Sequence, residues 1–371
     1  MKILHIYKDY HPVFGGIENH LKWLAEAQAA RGHDVTVLVT NPAGLKTVVR
    51  KEHGVMVIRA ARLGTLASTP LSLALPRILY RQHPDIVHLH FPYPLGEVSQ
   101  WLLHRGSAAV MTYHSDVVRQ TGFLHLYGPL LRRVLRQMDR ILPTSAPYIQ
   151  SSPWLRPLAD KCTVVPLAID VERFIHPRTQ RVQTIRRRFP GPLLLFVGRL
   201  RYYKGLDYLL RTMREVEATL LVAGAGPEAA RLDVLSHELG VANKVHFVGD
   251  VSDDNLPAYY QAADIFVLPS SQRSEAFGIV LLEAMAAGTP LISTELGTGT
   301  SWVNQDGVTG LVVPPRNETA LAEAIKRLLA DDAMRMEMGR RAQARARQEF
   351  DLPVLVERVM AVYEACLTGR S

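Results

Sequence analysis

The chain has 371 residues, 43 Lys and Arg against 35 Asp and Glu, and two cysteines. That length exceeds what one hydrophobic core usually fills and predicts two domains; Cys162 and Cys366 suggest neither a disulfide framework nor a metal cluster and read as small packing residues. Apolar runs stop short of the about 18–20 residues of a membrane span, and MKILHIYKDY enters a strand without a signal-peptide pattern, so a cytoplasmic protein is expected.

In chain order, KILHIY, DVTVLVT, VMVIRA, IVHLH, AAVMTY, RILPTS and CTVVPLAI read as strands of a first parallel sheet, separated by helix-length segments. PLLLFVG, ATLLVAG, KVHFVG, IFVLPS, PLIST and GLVVP read as a second. The expected fold class is therefore α/β, with two doubly wound Rossmann-like domains. The domains are placed at 1–170 and 171–350, with the helix in 351–371 packing back at the junction. Positive charge is uneven: residues 1–170 carry 19 Lys and Arg against 11 Asp and Glu, and the remainder 24 against 24. Arg77, Arg81, Arg132, Arg133 and Arg136 lie at helix-like spacing beside Leu and Tyr. Two readings stand for them, a solvated face over a core stripe or a basic face toward anionic lipid at the inner membrane surface. Nucleic acid is not expected as a partner, because no stacking aromatics interleave these arginines.

Candidate site residues cluster after strands. Gly15-Gly16 follow the first strand, where a plain turn and close approach to a ligand are equal readings. His114 follows AAVMTY, with Ser115 and Asp116 as a polar rim able to hold one tautomer; a purely structural histidine is the alternative. Arg199 and Lys204 in GRLRYYKG put two cations on one strand-to-helix loop, suited to a pyrophosphate. Gly224-Ala225-Gly226-Pro227 reads as a further tight turn at that rim. In SSQRSEAFGIVLLEAMAAGTP, Glu275 precedes and Glu283 lies inside a helix expected from about Phe277 to Ala287, closed by Gly288. A carboxylate buried among those apolar residues needs a committed partner, such as a pair of sugar hydroxyls. The Ala276-Phe277-Gly278 helix start offers unpaired amides to a phosphate. Asp253-Asp254 and Asp331-Asp332 read as helix-start residues, and no Asp-x-Asp triplet occurs, so no metal is expected.

With the E-x7-E pair, GRLRYYKG, the early Gly-Gly and the Leu256–Ser270 stretch ending ADIFVLPS, nearly the whole chain resembles retaining glycosyltransferases of family 4 with the GT-B architecture. The resemblance implies two domains facing across a cleft and a C-terminal helix that crosses back. It implies that Glu275 and His114 contact the transferred sugar and that Glu283 takes the ribose hydroxyls. Arg199 and Lys204, the Phe277, Gly278 and Ile279 amides and the Gly15-Gly16 backbone would hold the diphosphate. Where the family usually has Pro-Asn-Gly-Val-Asp, this chain has Pro166-Leu167-Ala168-Ile169-Asp170, which puts an apolar Leu167 at the Asn position and argues against a side-chain role there, while the strand and turn are expected to stay intact.

The similarity to bacterial enzymes of surface polysaccharide synthesis makes GDP-mannose the first expected donor, with Asp253 accepting from the guanine N–H edge, and UDP-glucose or UDP-N-acetylglucosamine the alternative. The nucleotide sugar is a substrate; no cofactor is expected. A glycan or lipid-linked glycan is the expected acceptor. A nucleotide-sugar epimerase or phosphorylase and a non-catalytic membrane-surface scaffold are the readings from other classes. Loss of the Glu275 side chain is expected to abolish transfer with little effect on folding.

Overall fold

The computed structural model describes residues 1–13, 15–66, 69–116, 121–176 and 178–369. It divides into two compact units, Met1–Leu167 with Leu352–Ser371, and Ala168–Asp351.

Unit 1 holds β1 (Lys2–Ile6), β2 (Asp34–Thr40), β3 (Val48–Glu52), β4 (Val55–Ala60), β5 (Gly64–Leu66), β6 (Thr69–Leu71), β7 (Ile86–Phe91), β8 (Ala108–Tyr113) and β9 (Arg140–Pro143). Seven of them form a sheet in the order β3-β4-β2-β1-β7-β8-β9, and β5-β6 pair separately. In the seven-stranded sheet all pairs are parallel except β3 with β4, and the β5-β6 pair is antiparallel. The central strands β1 and β7 are buried except for Lys2, as parallel strands covered on both faces are, and they read as mainly apolar runs broken by buried His5, His88 and His90. Antiparallel β3 is the edge strand, and its exposed Arg50 and Lys51 guard it against further pairing.

CTVVPLAI, expected as a seventh parallel strand, is not one. Thr163 and Val165 donate to Ile141 and Pro143 carbonyls at 2.9 and 3.0 Å, but Pro143 has no N–H to return, so the ladder stops. The helix Leu352–Thr368 belongs to unit 1, where Met360 and Tyr363 meet Gln28 and His88.

Unit 2 holds β10 (Leu193–Val197), β11 (Thr219–Ala223), β12 (Val245–Gly249), β13 (Ile265–Leu268), β14 (Leu291–Thr294) and β15 (Gly310–Val313), the six runs expected. They form one parallel sheet in the order β12-β11-β10-β13-β14-β15. The chain winds outward from β10 to β12 and returns to β13, so strand order reverses between β10 and β13. In unit 1 it reverses between β1 and β7. Such reversal points leave a crevice at the carboxyl ends of the strands where ligands bind.

Candidate active site

In unit 2 the reversal point brings the loops after β10 and β13 together. Gly205 has φ 68°, and a Cβ there would stand 2.0 Å from the Pro269 carbonyl oxygen, so only glycine lets the β10 loop seat on the end of β13. The Ser271 N–H then bonds the Tyr203 carbonyl at 2.8 Å. The result is a buried ion pair: Lys204 Nζ lies 2.6 Å from Glu275 Oε2, with the two side chains 10% and 9% exposed. Ser270 Oγ donates to the same carboxylate oxygen at 3.2 Å. Burial alone would lower the Lys204 ammonium, but the Glu275 carboxylate, with Tyr203 and Glu283, raises it above an ordinary lysine. Glu275 is therefore no free loop charge. Its loss strands a buried cation, which corrects the expectation that the fold would be little affected.

The segment that carries Glu275 is pinned from behind. Thr298 Oγ1 donates to the Glu275 carbonyl at 2.8 Å, the Gly299 N–H to the Ala276 carbonyl at 2.7 Å, and Phe277 packs against Trp302 and Phe350. The following helix spans Ile279–Ala286, two residues later than expected, because Gly278 is its N-cap in the left-handed region at φ 82°. Gly288 follows its end at φ 77°, as the sequence indicated. Glu283 sits in this helix and accepts from Tyr260 OH at 2.6 Å. Although it keeps some surface, protein atoms surround it closely: burial pushes its carboxyl up to about 7, the Tyr260 hydrogen bond opposes this, and Asp253 adds to it. Lys204 also acts on Glu283 through charge, so both carboxylates share one electrostatic neighbourhood.

Arg199 is exposed on the same loop as Lys204, and no acceptor meets it among the described residues. Asp253 is exposed two residues before the Asn255 N-cap of the helix Leu256–Ala262 and does not cap it, unlike Asp331, which bonds the Met334 N–H at 2.8 Å. Gly224 and Gly226 let the next loop lie against Gly198 and Leu200; Cβ atoms there would come within 2.2 and 2.3 Å of carbonyl oxygens.

In unit 1, Gly15 precedes the helix Gly16–Ala30 and is overlaid by Glu18, whose Oε2 would lie 2.1 Å from a Cβ at Gly15. His114, beyond the end of β8, is 4% exposed. Its Nε2 meets His90 Nδ1 at 3.2 Å, and its Nδ1 is buried without a partner among the described residues. Asp116, expected to help hold it, bonds Tyr113 OH at 2.8 Å and Ser152 Oγ at 2.7 Å. His114 belongs instead to a cluster with His5, His20, His88 and His90, all buried. Burial, aided by mutual repulsion, holds the imidazoles well below their usual range, near 4 for His5 and 3 for His20. Two trios, His5–His88–His90 and His20–His90–His114, have ligand-type atoms within 4.8 Å of one another. Pattern reading missed this cluster, although His88 and His90 alternate on β7 and His5 pairs in register with His88.

Two Rossmann-like units, one presenting a cation and two carboxylates at its strand-reversal crevice, define a glycosyltransferase of the GT-B fold. Residues 14–173 match the family described as Glycosyltransferase Family 4, and residues 182–345 that described as glycosyl transferases group 1. The chain is 40% identical to the D-rhamnosyltransferase WbpZ of Pseudomonas aeruginosa over 94% of its own length and 92% of that protein's. It is 35% identical to the O-antigen chain mannosyltransferase C of Escherichia coli over 100% of both. Among solved structures, sucrose-phosphate synthase from Thermosynechococcus elongatus superposes with a TM-score of 0.83 at 24% identity, covering 100% of this chain and 99% of that one. The chain belongs to glycosyltransferase family 4.

Proposed function

We propose that the protein transfers a hexose, with retention at the anomeric carbon, from GDP-mannose to a hydroxyl of a glycan or lipid-linked glycan. The observation that carries this is the buried Lys204–Glu275 pair beside Glu283 at the β10/β13 reversal point. Lys204 and exposed Arg199 would neutralise the diphosphate, with the Phe277, Gly278 and Ile279 amides beside them. Glu283 would accept from the ribose hydroxyls and Asp253 from the guanine edge. Glu275, oriented by Lys204 and Ser270, would accept from hydroxyls of the sugar, as would His114; Gly15-Gly16 would bring backbone close to the phosphates.

In the step we favour, the bond from the anomeric carbon to the diphosphate breaks with its electron pair leaving on phosphate. The acceptor oxygen bonds the same face of that carbon, and its proton passes to the departing phosphate oxygen. Charge on the leaving group is met by Lys204 and Arg199, so turnover is expected to persist in EDTA. A strict Mg²⁺ or Mn²⁺ requirement, measured by product formation after chelation, contradicts this.

The D-rhamnosyltransferase relative favours a second donor reading, the GDP sugar of 6-deoxymannose. Assays with both GDP sugars, UDP-glucose and UDP-N-acetylglucosamine separate the readings; turnover confined to a UDP sugar overturns both GDP assignments. Exposed Arg132, Arg133 and Arg136 lie over buried Leu131, Val134 and Leu135, a face suited to an anionic membrane surface. No helix among the described residues is long and apolar enough to cross a membrane.

A further inference from the structure

Three histidines of unit 1 form a hydrogen-bonded chain that ends at His114, and the chain has a direction. Gln28 Oε1 can only accept, so His5 Nε2, 2.7 Å away, carries a hydrogen. Burial keeps His5, His90 and His114 neutral, with one N–H each. His5 Nδ1 is therefore bare and accepts from His90 Nε2 at 3.1 Å. His90 Nδ1 is bare in turn and accepts from His114 Nε2 at 3.2 Å. What remains on His114 is an Nδ1 lone pair, buried and unpartnered among the described residues.

The opposite orientation of the Gln28 amide would reverse every bond in the chain. It would leave His114 with an unmet buried N–H, and of the groups then facing the amide oxygen the Met360 sulfur has no hydrogen to give, so only the Tyr363 hydroxyl could donate to it. With the oxygen toward His5, the amide N–H stands 3.8 Å from that sulfur and no N–H of the chain is left unmade. Gln28 is itself fully buried on the helix Gly16–Ala30.

We propose that Gln28 is a positioning residue for His114: through His5 and His90 it fixes the Nε2–H tautomer and keeps the Nδ1 lone pair as an acceptor for a hydroxyl hydrogen of the transferred sugar. The tautomer follows from the chain alone; the hydroxyl contact rests on the assignment of His114 to the donor sugar made above.

The test is a long-range ¹H–¹⁵N spectrum of the full chain labelled at histidine, recorded without donor, together with kcat and KM. The wild-type protein is expected to show His114 as a single Nε2–H tautomer. Gln28→Met keeps the shape and removes the hydrogen bonds, so the His114 signals should move toward a tautomer mixture. Its kcat should fall by about 10–100-fold, taking as guide the loss when the partner that orients a metal-bound histidine is removed, with KM for the donor changed much less. Thr112→Val makes a similar polar-to-apolar change on the His88 branch, where Thr112 Oγ1 meets His88 Nε2 at 2.7 Å, and should leave both readouts as in the wild type. A wild-type His114 protonated at Nδ1 overturns the proposal, as does Gln28→Met with an unchanged tautomer and rate. Stoichiometric Zn²⁺ uptake that shifts the His20, His90 and His114 signals also overturns it, since a metal would occupy the lone pairs. Because the spectrum needs no donor, a wrong donor leaves the tautomer result standing and shows only as absent turnover.

Discussion

Replacing Lys204 by methionine is expected to lower turnover by ~10²–10³-fold, the usual effect of deleting one preorganised charged contact to a leaving group. It should also destabilise unit 2, because Glu275 Oε2 lies 2.6 Å from Lys204 Nζ in a pair with only about a tenth of each side chain exposed. Removing one member of a buried pair leaves the other charge uncompensated, at about 3–5 kcal/mol. Glu275→Leu alone should show a loss of similar size for the same reason. The double variant Lys204→Met/Glu275→Leu discriminates between the two effects. With no charge left to strand, most of the stability should return, while transfer remains abolished. Urea unfolding and a donor turnover assay on the three variants measure both quantities. A double variant that loses the sum of the two single effects would mean that the residues do not act as a pair.

Glu283→Gln is expected to change stability and ligand binding in opposite directions. The Glu283 carboxyl is raised from 4.5 to about 7, mainly by burial, so between those values the folded chain keeps a proton that the unfolded chain has released. Stability therefore falls as pH rises from about 4.5 to about 7, and the loss is complete above that window. The full shift corresponds to at most about 3 kcal/mol, reduced by the surface that Glu283 retains. Glutamine removes this slope, so the variant should equal or exceed the wild type in stability at neutral pH and above. A nucleotide whose ribose hydroxyls donate to Glu283 favours the ionised form, so binding should release a proton below pH ~7 and tighten as pH rises. The glutamine variant should bind the nucleoside diphosphate about 10–100-fold more weakly, as for a lost hydrogen bond to a charged group of ~1.5–3 kcal/mol. Calorimetric titration in buffers of different ionisation enthalpy checks both. Unchanged affinity together with an unchanged pH profile of stability would remove Glu283 from the site.

The strands of unit 2 were legible because they are short apolar runs bounded by Gly or Pro, and burial on both faces leaves all but the half-buried edge strand β12 almost uninterrupted. The seventh strand expected in unit 1 failed on one atom: CTVVPLAI has the right composition, but the missing N–H of its neighbour Pro143 is not visible within the segment itself. The helix after Glu275 began late for a comparable reason. A glycine inside an apolar run reads as a tolerated helix residue until its positive φ makes it the cap.

At the site, residue types were legible and partnerships were not. Lys204 and Glu275 were each singled out, one for phosphate and one for sugar, because a loop pattern carries no information about a contact between two loops after different strands. That contact depends on β10 and β13 being neighbours, which sheet order alone determines. The histidine cluster was hidden more completely, since its members come from β1, β7, the end of β8 and one helix. Only the alternation of His88 and His90 on β7 was visible locally, and a buried strand read as a hydrophobic run gives no reason to look for it.

The most direct test of the central claim is a thermal-shift measurement of the full chain with GDP, UDP, ADP and dTDP, each with and without EDTA. A ligand that binds only the folded state raises the melting temperature by mass action. A shift with GDP that survives EDTA and is lost in Lys204→Met/Glu275→Leu is the predicted result. A shift with UDP but none with GDP, or a GDP shift that the double variant retains in full, would contradict it.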